Sequence, residues 1–149
     1  MQKRPFLKAL GSSLLLTSTS TWLHAQTKPI RVGSTLSLTG PLAGTAVMHK
    51  IAGDIFIEQL NKRGGLLGRP LEWVVKDDQS KPDLARTLYE QLISGENVDL
   101  LMGPYATANS LAAMGVAQRN GKVLITNSFG IPSLAKYDMH FPAYVMGID

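Results

Sequence analysis

There is no cysteine anywhere in the chain. That absence excludes a disulfide scaffold, a thiolate-ligated zinc or iron–sulfur centre and a cysteine nucleophile. Charge is sparse as well, since Asp, Glu, Lys and Arg together make up 17% of the 149 residues. Neither a Walker phosphate loop nor a Gly-x-Gly-x-x-Gly turn occurs, so no motif here is built to cradle phosphate and no cofactor is implied. What is present is a globular composition, 44% hydrophobic, of about one domain's length.

The formal charge of +4 suggests a polyanion-binding surplus until it is located along the chain. Lys3, Arg4 and Lys8 precede a charge-free stretch, residues 9–22, that carries Leu10, Leu14, Leu15 and Leu16. Ala25 then offers a small residue for cleavage, so residues 1–25 read as an export signal whose apolar part is too short and too rich in Ser and Thr to span a bilayer. Residues 26–149 are left with twelve Lys and Arg against eleven Asp and Glu. A nearly neutral remainder has no electrostatic footprint for nucleic acid. The working part is expected outside the cytoplasm, in the periplasm.

Hydrophobic periodicity alternates between the two regular structures. Residues 30–37 are short and β-rich; Val47, Ile51, Ile55 and Met48, Ala52, Phe56, Leu60 then recur every four residues, which predicts an amphipathic helix ended by Gly64-Gly65. Residues 71–76 alternate as a strand near a sheet edge. Ser80, Pro82 and Asp83 resemble a capping box ahead of a second helix with the stripe Ala85, Leu88, Tyr89, Leu92. Residues 98–102 read as a central strand buried on both faces, residues 108–120 as a third helix, residues 122–126 as a fourth strand and residues 144–148 as a fifth. This order predicts a doubly wound α/β fold with a mostly parallel sheet and right-handed crossovers.

In such a sheet, ligands bind beyond the carboxyl ends of the strands. The three loops expected there, residues 38–45, 103–110 and 127–133, contain no Asp, Glu, Lys, Arg, His or Cys. General acid–base catalysis and metal catalysis both need such groups, so the chain reads as a binder rather than an enzyme. The loops offer hydroxyls, amides and helix N-terminal N–H groups, a set suited to a carboxylate. Thr107 can hold a ligand at the start of the third helix or simply cap that helix. Tyr105 and Phe129 can wall a pocket or pack the loops together. Asp77-Asp78 suggests loop hydrogen bonding more than a magnesium site, and His49 and His140, the latter expected in a polar loop, lack the neighbours of a metal ligand. A serine hydrolase using Ser128 with Asp138 and His140 is a remote alternative. Thr126 stands where a nucleophile elbow needs glycine, and Asp138 lies only two residues from His140.

Four stretches in register carry a resemblance: IRVGSTLSLTGPLAG at 30–44, QLNKRGGLLG at 59–68, VVKDDQSKPDLA at 74–85 and LLMGPYATANS at 100–110. Together they resemble the first lobe of the leucine/isoleucine/valine-binding type of extracytoplasmic solute-binding protein. The resemblance implies a two-lobed clamp that delivers an amino acid or a related small carboxylate or amide to the membrane permease of an ABC importer, with residues 26–149 as its N-terminal lobe. It implies that Thr107 and the stretch Ser128, Phe129, Gly130 hold the ligand's carboxylate and amine, with Tyr105, Ala106 and Thr45 beside them. Many members carry a hydroxyl where this chain has Gly130. A ligand-binding sensory module of a receptor or regulator shares the fold and is the second reading.

Overall fold

The computed structural model describes residues 28–143. Its elements run β1 (Ile30–Leu36), α1 (Ala43–Lys62), β2 (Leu71–Asp77), α2 (Pro82–Ser94), β3 (Leu100–Met102), α3 (Thr107–Arg119), β4 (Leu124–Thr126), a 3₁₀ turn (Pro132–Leu134) and β5 (His140–Pro142). The export signal expected at 1–25 and the strand expected at 144–148 lie outside the described residues. A fifth strand does form, earlier than expected, and it carries His140, which is buried on the sheet and not in a polar loop.

All four strand pairings are parallel, in the order β2-β1-β3-β4-β5. From β1 the chain turns one way to β2, and from β3 it turns the other way to β4. Right-handed crossovers then place α1 on one face and α2 with α3 on the other. The second face holds the core: Tyr89 and Leu92 of α2, Ala113, Val116 and Ala117 of α3, and Val98, Leu101 and Leu124 from the sheet. The Tyr89 hydroxyl reaches through this core to donate to the Met102 carbonyl and accept from the Thr35 N–H, which ties β1 to β3. Burial raises its pKa well above the usual tyrosine range.

The first face is covered over only part of its width. β2 is an edge strand, as its alternation predicts, and α1 lies over it closely enough that a Cβ on Gly53 would come within 2.2 Å of the Trp73 ring. Beyond that contact the face is open among the described residues. β3 is therefore not buried on both faces: Leu101 is 1% exposed on the core side, whereas Leu100 and Met102 on the opposite side are each 37% exposed. Ile125 and Phe141 continue the open strip. The apolar stripe of α1 shares this exposure, because Met48, Ile51, Ile55 and Phe56 stand out of the sheet and Ala46 is the buried residue of the helix. The physical reason is topological. Only the step from β1 to β2 runs toward that edge of the sheet, so among the described residues α1 is the one crossover helix on its side.

The loops after β1 and β2 are joined through Asp78, a fully buried carboxylate. It accepts from the hydroxyls of Thr35 and Ser37, each at 2.7 Å, and from the Ser80 N–H at 3.0 Å. Ser80 does not form the expected capping box. Its hydroxyl donates to the Thr39 carbonyl and accepts from the Leu42 N–H, while Lys81 occupies the cap of α2 without a side-chain bond. Asp78→Ala strands two buried hydroxyls and is expected to cost about 2–4 kcal/mol of unfolding free energy, read from urea denaturation.

Candidate functional site

The strand connections reverse direction between β1 and β3, so the crevice that an open parallel sheet offers to ligands lies beyond their carboxyl ends. Three segments meet around it: the loop into α1, the loop from β3 into α3, and the loop after β4. Among the described residues, the last two are stitched together by hydroxyl-to-backbone hydrogen bonds. The Gly130 N–H donates to Thr107 Oγ1 at 2.9 Å. The Ala106 N–H donates to Ser128 Oγ at 3.3 Å, and that hydroxyl in turn donates to the Pro104 carbonyl at 3.3 Å.

These bonds hold Ala106 at φ 83° and ψ 143°, a backbone conformation that a residue with a Cβ rarely adopts. That turn lets the chain enter α3 directly, with Ala106 as the cap residue and Thr107 as the first helical residue. Thr107 makes no capping bond to its own helix; its oxygen serves the neighbouring loop instead. Its hydroxyl hydrogen remains available, as do the N–H groups of Thr107, Ala108 and Asn109, which have no carbonyl acceptor one turn earlier. A Cβ on Gly130 would lie 3.0 Å from Thr107 Oγ1, so a side chain there crowds this bond.

The other expected residues divide. Ser128 and Ala106 belong to the seam. Tyr105 is half-buried with its ring 5.2 Å from that of His49. Phe129 is fully buried and stands edge-on to His140, so its side chain packs the loop from below and does not wall an open pocket. Thr45 is exposed in the first turn of α1 and makes no side-chain bond to the rest. Ser128 has no base: its hydrogen goes to Pro104, and His140 Nε2 lies 2.9 Å from the Thr126 hydroxyl.

His49, set aside as a metal ligand, also reaches the site, through Asn127 of the third candidate loop. His49 Nδ1 lies 2.9 Å from the Asn127 amide nitrogen, which links α1 to the loop after β4. One signal was available, because His49 follows Thr45 by four residues and so shares its face of the helix. Both His49 and Asn127 border a groove of about 370 Å³ that runs under α1 between Trp73, Phe56, Leu36 and Met102.

The acids play structural parts. Burial pushes the Asp77 carboxyl up, but hydrogen bonds from Thr39 and the Gln79 N–H outweigh it and hold the group below the usual carboxylate range. Among the described residues, no group of His, Asp or Glu is placed to hold a metal ion, and no helix is long and apolar enough to cross a membrane.

His140 is a buried titratable group packed against Phe129 of the seam loop. Desolvation lowers its pKa, its Nδ1 has no partner, and it supports Phe129 from beneath. The folded state therefore favours the neutral ring. Its contribution to stability is complete above the unfolded value near 6.5 and is lost as pH falls from there through the depressed folded value. Thermal melts between pH 7.5 and pH 5 are expected to show a decline that His140→Gln reduces. An equal decline in both proteins contradicts this assignment.

Comparison with known proteins places the fold. Residues 29–146 match the family described as periplasmic binding protein. A chemotactic signal transduction system substrate-binding protein of Halobacterium salinarum is 32% identical over 110 residues, covering 72% of this chain and 27% of that protein. A leucine-, isoleucine-, valine-, threonine- and alanine-binding protein of Pseudomonas aeruginosa is 26% identical, covering 80% and 32%. Among solved structures, the branched-chain amino acid transporter substrate-binding protein LivJ of Streptococcus pneumoniae, in complex with isoleucine, superposes with a TM-score of 0.73 at 25% identity, covering 80% of this chain and 34% of that one. The chain thus spans about a third of the length of these relatives. With its parallel sheet and a match over most of its length, the chain belongs to the periplasmic binding protein family, and the relatives it matches are solute-binding proteins, among them ones of the leucine/isoleucine/valine-binding type.

Proposed function

We propose that this chain is the N-terminal lobe of an extracytoplasmic solute-binding protein that delivers an amino acid, or a related small carboxylate or amide, to the permease of an ABC importer. Residues 1–25 export it to the periplasm, and residues 26–149 form the lobe. One observation carries the reading: the seam between Thr107, Ala106, Ser128 and Gly130 leaves a free hydroxyl hydrogen beside the unpaired N–H groups of α3, with no nucleophile–base pair nearby. Such an arrangement suits a carboxylate that is held and released intact. The open strip of Leu100, Met102, Ile125 and Phe141 supports the larger protein, because a parallel sheet is stable with both faces covered and a further element of a longer chain can complete this one.

The kinship with a chemotaxis substrate-binding protein favours a second reading, in which the loaded protein addresses a signal transducer. The two differ in the partner of the closed form. Stimulation of a reconstituted importer's ATPase supports transport, whereas binding to a transducer ectodomain supports sensing.

The site itself is tested by calorimetry of the full-length protein with a panel of free amino acids. Thr107→Ala is expected to weaken the solute that binds by roughly 1–3 kcal/mol, through loss of a charge-assisted bond and of the Gly130 anchor. Unchanged affinity contradicts the assignment.

A further inference from the structure

We propose that His49, with Tyr105 beside it, is a specificity-determining residue that selects a solute carrying a carboxylate in its side chain. The inference rests on the solute-binding reading above and adds the chemistry of the solute's second end.

The tautomer of His49 follows from its neighbour. An amide nitrogen only donates, so Nδ1, 2.9 Å from the Asn127 nitrogen, accepts, and the proton of the neutral ring sits on Nε2. Among the described residues that Nε2–H has no acceptor, and neither has the Tyr105 hydroxyl, whose ring is 5.2 Å away and inclined by 48°. Tyr105 lies two residues before Thr107, and Asn127 lies directly before Ser128, so the pair flanks the seam on its α1 side. Both side chains are half-buried already. A bound solute takes them further from water, and each unpaired donor then disfavours the complex.

Two free donors on adjacent side chains match an acceptor with two oxygens. A carboxylate is acceptor-only, and the three loops at the strand ends contribute no acid to repel it. A branched aliphatic side chain satisfies neither donor. The discrimination expected from leaving a polar group unpaired is roughly tenfold or more.

L-Aspartate and L-leucine make the test, since their side chains share a branch point and differ in two oxygens against two methyl groups. Affinities are measured by calorimetry on the full-length protein. Wild type is expected to bind L-aspartate roughly tenfold or more tightly than L-leucine. His49→Leu removes that preference, His49→Gln, which keeps a donor, restores part of it, and Thr107→Ala weakens both compounds while leaving their ratio intact. A preference for L-leucine, a ratio unchanged in His49→Leu, or failure of both compounds to bind overturns the proposal. If Thr107→Ala leaves binding untouched while His49→Leu alters it, the Thr107 seam, not the role of His49, is overturned.

Discussion

The hydroxyl-to-backbone seam between the loops after β3 and β4 is the constraint on which the functional edge depends. Parallel strands deliver their loops to one edge of the sheet, but strand geometry alone leaves each loop free to choose its own shape. Here Ser128 accepts from one backbone N–H and donates to a carbonyl two residues earlier, while Thr107 returns the link to Gly130. Each such bond is worth about 1 kcal/mol net, and together they offset the strain of Ala106 at positive φ. In this seam the Thr107 hydroxyl accepts, which leaves its hydrogen unpaired, and the N–H groups of Thr107, Ala108 and Asn109 beside it have no carbonyl acceptor one turn earlier.

A second constraint acts on the sheet faces. Two helices and a tyrosine-bridged core cover one face, and a single helix covers part of the other. Gly53 brings α1 down onto Trp73 of β2, and among the described residues nothing of comparable size lies over β3, β4 and β5. The groove under α1 is the border between the covered and uncovered halves. His49 stands on that border, in reach of both the seam and the open strip.

Much of this architecture is legible in the chain itself. Period-four apolar spacing marks α1, and alternation in 71–76 marks an edge strand, because both patterns record local geometry directly. Burial is less legible. The run Leu100, Leu101, Met102 reads as doubly buried since its composition suits a buried strand, yet whether a second layer exists depends on residues far away in sequence. The same limit applies to Ser80, whose pattern fits a capping box but whose hydroxyl is drawn to Thr39 by the Asp78 network. At the site, the resemblance brought out Thr107 and Ser128, and the loops' lack of charge pointed to binding. The contribution of His49 needed the fold, because its spacing from Thr45 marks a shared helix face but not the loop it meets across 78 positions of sequence.

In the function proposed for this chain, neutral donors at the ends of β3 and β4 hold a small carboxylate without transforming it. Backbone amide NMR of the full-length protein, titrated with the amino acid that binds, measures this directly. Saturable shifts are expected on Thr107, Ala108, Asn109, Ser128 and Gly130, with the amino acid recovered unchanged. Shifts confined to other surfaces, or conversion of the added compound, contradict it.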